Sequence, residues 1–324
     1  MRMEMWADVV CPWAYIGKRR LERALVGRDD VEVVWRPFRI DPTAPSRAVP
    51  LEEALQDPLM DEAVRACAPD LTPAENRVRV SSIAVAEGLG PRWGARWRAG
   101  SHDAHRLIAL AHDHGGARLQ DDVVERILRA HFIEALDISA PAVLAGIADA
   151  AGFAQGAGLL NSDAGESHVR ELLLEGKARG VKTSPSLVVG DRALAGAQAP
   201  EAIRAFLDSC GTPGELPAEV ARMRWAESLL RQRDPLGALT MLRNLQNEFP
   251  DDRSVKTLAA RAYFASAQLK HAEVELATLV ERYPDDAYTR LLYGRTLQRQ
   301  GRADQAAPHL RLASLAGGDE QAGR

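Results

Sequence analysis

One four-residue pattern in the C-terminal third of this 324-residue chain constrains its fold more than any other feature. Phe249-Pro250-Asp251-Asp252 returns 34 residues later as Tyr283-Pro284-Asp285-Asp286. A fixed period of this length marks an array of stacked helix pairs. Other positions keep the same register. Ala238, Ala272 and Ala306 share it, as do Ala226, Ala260 and Gly294, small residues where two helices must approach closely. Leu229, Tyr263 and Leu297 fill the large position three residues later. Three helix pairs are expected over residues 217–324, the third lacking its closing proline. The segment Gly211-Thr212-Pro213-Gly214-Glu215-Leu216-Pro217 reads as a linker before them.

The preceding residues carry a different pattern. Met3 to Val10 reads as a short buried strand and Tyr15 to Val26 as a helix, with Ile16, Leu21, Ala24 and Leu25 at helical spacing. Val31 to Phe38 reads as a second strand, parallel to the first across that helix. Helical patterns then run through Leu51–Ala68, Thr72–Gly88, His102–His114, Leu119–Phe132, Ala140–Ala151 and Asp163–Gly180. Strands return at Val181–Val189 and Arg192–Ala195, and Pro200–Ser209 closes with a helix. This order predicts an α/β thioredoxin-like fold over residues 1–211 with a helical subdomain inserted at about 50–152, followed by the all-α repeat domain at 217–324.

Cys11-Pro12-Trp13-Ala14 lies at the first strand-to-helix junction, with alanine where a dithiol site would carry its second cysteine. Pro12 suits a first helical turn, because its missing N–H would be an orphan there. Cys11 is thus expected at a helix N-terminus, where free N–H groups and the helix dipole favour a thiolate and depress the pKa. A lone cysteine can attack a disulfide or rest as a mixed disulfide, but it cannot close a disulfide within the motif.

Composition excludes several classes. The net charge of −4 gives no electrostatic case for nucleic-acid binding. Three cysteines, Cys11, Cys67 and Cys210, make no disulfide framework. Cys67 and Cys210 read as helix-packing thiols. No apolar leader precedes the first strand and no stretch is apolar enough to span a membrane, so a reducing cytoplasm is expected. His102, His105, His112 and His114 lack acidic or thiolate partners at ligand spacing, so no metal is expected. Trp93 and Trp97, with Arg92, Arg96 and Arg98, read as an amphipathic segment covering the site.

The first domain resembles the DsbA-like thioredoxin family, and most closely its FrnE-like cytoplasmic branch. The residues that carry the resemblance are Asp8-Val9-Val10-Cys11-Pro12-Trp13, Tyr15-Ile16-Gly17-Lys18-Arg19-Arg20, Phe38-Arg39-Ile40-Asp41-Pro42, Ala104-His105-Arg106, Asp137-Ile138, Ser184-Pro185 and Gly196-Ala197-Gln198. Relatives in that branch include disulfide oxidoreductases and isomerases, kappa-type glutathione transferases and hydroxychromene-carboxylate isomerases. The resemblance implies a cis Ser184–Pro185 peptide facing the reactive cysteine. Three residues depart from the family: Ala14 at the second cysteine, Gly100 where many relatives have asparagine, and Ala135 where glycine is usual. The second domain resembles tetratricopeptide repeats, which places Arg261, Arg295, Arg299, Phe264 and Tyr288 toward an inner groove suited to carboxylate-bearing peptides.

The expected activity is thiol–disulfide exchange through a single nucleophile, with Cys11, Pro12, Trp13, Ser184 and Pro185 as the site. Glutathione or an equivalent small thiol enters as a co-substrate, with no cofactor beyond it. Protein or peptide thiols are the partners at Cys11, and a further peptide or protein is the partner of the repeat groove. The rival readings are a redox-inactive thioredoxin-fold chaperone or scaffold, and a glutathione-dependent isomerase or transferase.

Overall fold

The computed structural model describes residues 1–58, 62, 65, 68–211, 214 and 216–318. The chain divides into two compact units, Met1–Gly176 with Gly180–Glu215, and Lys177–Arg179 with Leu216–Arg324.

The first unit is built on a four-stranded sheet of order β2-β1-β5-β6, with β1 at Arg2–Ala7, β2 at Glu32–Pro37, β5 at Ser186–Val189 and β6 at Arg192–Ala195. β1 and β2 run parallel, Met3 opposite Val33 and Met5 opposite Trp35. Helix α1 at Pro12–Ala24 makes the crossover between them. β5 adds antiparallel on the other side of β1, and β6 antiparallel on β5. Strand alternation sets the layers. Met3, Met5 and Ala7 are buried in the main core with Ile16 and Leu21 of α1. Trp6 is fully buried. Helix α7 at Glu166–Ala178 passes so close to it that a Cβ on Gly176 would sit 2.6 Å from the indole. Helix α8 at Pro200–Ser209 packs on α1 and contributes Ile203 and Leu207 to the core.

Between β2 and β5 lies the helical insert. Its described elements begin with a two-residue strand β3 at Val49–Pro50 and helix α2 at Leu51–Ala54. Helix α3 at Pro73–Ala86 opens with a capping box in which Thr72 and Glu75 satisfy each other's backbone N–H groups. Strand β4 at Trp97–Arg98 pairs with β3. Helix α4 at His102–Phe132 is broken at Gly115–Gly116, where Gly116 takes φ +67°. This matches the two helical patterns expected there. Helices α5 at Pro141–Ala150 and α6 at Gly156–Leu160 complete the insert. The strand expected from Val181 is shorter than read and begins at Ser186. The helix expected through Ala68, and the linker at 211–217, lie partly outside the described residues, as does Cys67.

The second unit consists of α9 at Ala218–Arg231, α10 at Pro235–Glu248, α11 at Arg253–Ala265, α12 at Leu269–Arg282, α13 at Ala287–Arg299 and α14 at Ala303–Gly318. The repeated Asp-Asp has a local cause. Asp252 and Asp286 are N-caps, accepting N–H bonds from Ser254 and Val255 and from Thr289 respectively. Ala238, Ala272 and Ala306 are fully buried, as the repeat demands. A Cβ on Gly294 would lie 2.7 Å from Leu310. Backbone register repeats too: Arg233, Ala267 and Gly301 all take positive φ, at 61°, 60° and 80°.

Candidate functional site

Cys11 is the N-cap of α1, with extended backbone and Pro12 behind it. Its N–H donates to the Asp8 carbonyl at 3.0 Å, and its own carbonyl accepts from Ala14 at 2.9 Å. The side chain is only 5% exposed. Across from it runs the loop into β5, where the Ser184–Pro185 peptide is cis. The Cys11 thiol donates to the Ser184 carbonyl at 3.4 Å. The Ser184 hydroxyl in turn accepts the Asp8 N–H at 2.9 Å.

The local electrostatics overturn the expectation of a depressed thiol pKa. Burial pushes the Cys11 thiol up from 9.0 to about 11. The Ser184 hydroxyl and the N–H groups of Ala14 and Trp13 pull the other way, and the Asp8 carboxylate adds to the rise. The helix N-terminus is present, but the loss of water around the sulfur outweighs it.

Asp8 is the hub beneath the site and is fully buried. Its carboxylate accepts from the N–H of Ile40 at 2.7 Å and of Val10 at 3.4 Å. His105 Nε2 lies 3.0 Å from the Phe38 carbonyl and 3.3 Å from the Asp8 carboxylate. A carbonyl only accepts, so Nε2 carries the proton and serves both oxygens. Deeper in the insert, His131 is buried with Nδ1 unpartnered. Burial pushes its pKa down to about 4, against the pull of Asp8 and Asp137. Asp8 and His105 stand in the sequence motifs quoted above, but their meeting across 97 residues carries no local signal.

The other expected residues fall as follows. Trp13 is half-buried, with the Arg79 guanidinium 5.9 Å above its ring. Trp93 stacks on Phe132 at 4.8 Å beside Tyr15, and Trp97 donates to the Ala135 carbonyl at 3.0 Å. Ala135 holds φ +57°, in the left-handed region that favours glycine. A Cβ on Gly100 would meet the Pro45 carbonyl at 3.1 Å. Cys210 is a buried free thiol at the C-cap of α8. His102 pairs with Glu166 at 2.6 Å, and His114 packs on Phe153. Among the described residues no group of three potential ligands could hold a metal ion. A groove of about 710 Å³ is lined by Lys18, Arg19, Glu22, Arg118, Asp121 and Glu125 among others, but not by Cys11.

In the repeats, Arg299 and Phe264 come together. The guanidinium lies 4.6 Å over the ring and donates to the Phe264 carbonyl at 2.8 Å. Arg295 and Tyr288 are exposed on α13, and Arg261 is half-buried on α11.

Comparison with known proteins follows the two units. The profile of the DSBA-like thioredoxin domain matches residues 2–208, and a tetratricopeptide repeat matches residues 229–292. The chain belongs to the DSBA-like thioredoxin domain family, with tetratricopeptide repeats at its C-terminal side. It is similar to a probable DsbA oxidoreductase from Streptomyces coelicolor, at 28% identity and a TM-score of 0.57, covering 67% of this chain and 94% of that one. The cytosolic disulfide reductase DsbM from Pseudomonas aeruginosa, solved with GSH, shares 17% identity at a TM-score of 0.42, over 64% of this chain and 98% of that one. The uncharacterized Bacillus subtilis protein YwbO is 34% identical over 53 residues, 16% of this chain. The matched stretch is about a quarter (26%) of the length of that curated relative. The fold and family are those of thiol–disulfide oxidoreductase-like proteins. Among the described residues no helix is long and apolar enough to cross a membrane.

Proposed function

We propose that this protein carries out thiol–disulfide exchange in the cytoplasm through Cys11 alone. The observation that carries the reading is the placement of Cys11 Sγ at the N-cap of α1, 3.4 Å from the Ser184 backbone. The Cys11 thiol first loses its proton to solvent as the incoming chain opens the site. Its sulfur then attacks one sulfur of a disulfide, forms a new S–S bond to it, and releases the other sulfur as a thiolate. The Ser184 hydroxyl and the N–H groups of Trp13 and Ala14 stabilise the Cys11 thiolate when it forms and again when it leaves. Pro12 starts the helix that aims those N–H groups, Trp13 walls the site, and Ser184 with Pro185 aligns the incoming chain. Ala14 has no sulfur to resolve the adduct. A second, external thiolate such as glutathione then attacks the client sulfur of the adduct, forms a new S–S bond to it, and releases Cys11 as the thiolate. The repeats hold a partner at their inner groove, where Arg261, Arg295 and Arg299, with Phe264 and Tyr288, suit a carboxylate-bearing segment.

One observation favours a redox-inactive scaffold instead: Cys11 is buried and its thiol is held protonated. Trapping separates the two. Protein purified from cells without reductant should carry mixed disulfides on the Cys11 peptide, removable by reductant and lost in Cys11→Ser. Cys11 recovered entirely as free thiol would support the scaffold. Pull-downs by full-length protein and by Arg261→Ala/Arg295→Ala should give different partners if the groove recruits them; identical sets would remove that role.

A further inference from the structure

Two motifs of the first unit, Tyr15-Ile16-Gly17-Lys18-Arg19-Arg20 and Gly196-Ala197-Gln198, lie outside the exchange site itself. They meet at Pro185. Gly17 is buried on α1, and a Cβ built there would sit 2.9 Å from Pro185 Cγ, 3.5 Å from Ala197 Cβ and 3.5 Å from Met5 Cε. Real Cβ contacts essentially never fall below 3.0 Å, and a proline ring has no free end to swing away. The helix can therefore seat the loop this closely only with glycine at position 17.

The second side of the seat is polar. Arg20, one turn further along α1, donates from Nη1 to the Ala197 carbonyl at 2.6 Å. Its Nε pairs at 2.7 Å with Glu87, whose side chain is only 9% exposed and which also pairs with Arg23. Glu87 is the C-cap of α3, so the guanidinium is held from the insert as well. The turn that Arg20 grips is tied to the loop, because the Gly196 N–H donates to the Pro185 carbonyl at 2.8 Å. Gly196 itself takes φ +81°.

We propose that Gly17 and Arg20 are positioning residues that seat the Ser184–Pro185 loop at its working distance from Cys11. The inference rests on the exchange reading above. One helix holds the nucleophile at its N-cap and the loop's seat within the next three turns, so sulfur and loop keep a single spacing. A methyl at position 17 moves Pro185, and with it the Ser184 backbone, away from Sγ.

The test compares two reactions of Cys11, each read by mass spectrometry of its own peptide. Oxidised glutathione needs an aligned chain beside the sulfur. Iodoacetamide needs only the sulfur. In Gly17→Ala the ratio of the glutathionylation rate to the alkylation rate should fall about tenfold, since a displacement near 1 Å is enough to cost that much in an oriented reaction. Arg20→Gln adds no volume and should lower the ratio about threefold by the same loss of orientation, so it carries the test where Gly17→Ala fails to fold. A general loosening of the domain would alter both rates together and leave the ratio at its wild-type value. That outcome in both variants overturns the positioning role while the exchange reading stands. Wild-type protein that is alkylated at Cys11 but never glutathionylated overturns the exchange reading and, with it, the seat.

Discussion

The protonation state of Cys11 is the property on which the proposed exchange chemistry turns, and the structure gives it a size and a sign. Burial raises the thiol from 9.0 to about 11. At pH 8 that leaves about one thiolate in a thousand, since each pH unit is tenfold. The folded protein holds this proton more tightly than the unfolded chain does. The resulting stability is therefore fully present below the ordinary thiol value of 9.0 and is lost as pH rises through about 11. Two units correspond to about 3 kcal/mol at most. The assay is urea unfolding at intervals between pH 8 and pH 11, wild type against Cys11→Ala. Five of the six tryptophans, Trp6, Trp13, Trp35, Trp93 and Trp97, lie in the first unit, so fluorescence reports its unfolding. Lysines and tyrosines titrate in both proteins and cancel in the difference. The variant loses a constant amount from its cavity, but the gap between the two should close by about 2 kcal/mol on going from pH 9 to pH 11. Parallel curves across that range would show the thiol ionising at or below its ordinary value, and would refute the claim that desolvation beats the helix N-terminus.

Further outcomes are open to measurement. Ala14→Cys should gain disulfide turnover at least about tenfold over wild type with a model dithiol, because exchange within one site replaces an encounter; insulin reduction reports it. His131, held at about 4, should make the first unit lose stability as pH falls from 6.5 toward 4, since the unfolded chain takes up a proton that the native site refuses. The loss should approach about 3 kcal/mol and be absent in His131→Phe. Ala267→Gly and Ala135→Gly should each stabilise their unit by about 0.5–1 kcal/mol, the relief of left-handed strain exceeding the entropy cost of glycine; thermal unfolding midpoints that fall in both would contradict this.

What could be read from the chain follows the range of the forces involved. The repeats were legible because close helix packing demands small residues at one spacing, and Ala238, Ala272 and Ala306 supply them. The Asp252 and Asp286 caps reinforce the period, because a cap is a local bond. The left-handed positions 233, 267 and 301 were not legible, since only the last is glycine. At the site, the N-cap position of Cys11 followed from Pro12 and the flanking pattern. The direction of its pKa did not, because desolvation depends on what covers the sulfur. That cover comes from Ser184, 173 residues away in sequence, and from the surrounding core. The Asp8–His105 contact was hidden for the same reason.

Under the proposed single-cysteine exchange, alanine at position 14 alters the timing of the reaction more than the shape of the site. Its side chain is fully buried and its N–H still bears on Cys11. The grip of Asp8 on Ser184 and the seat of Pro185 on Gly17 remain in place. Under the single-cysteine reading, attack uses groups the site retains, while release waits on an external thiolate. The lifetime of the adduct then falls as that thiol's concentration rises, rather than being set within the protein. A long-lived covalent link has a consequence for the repeats. Were the repeats to hold the same client, as proposed, their binding would become an event within one molecule, and a groove of modest affinity would hold what it releases in free solution.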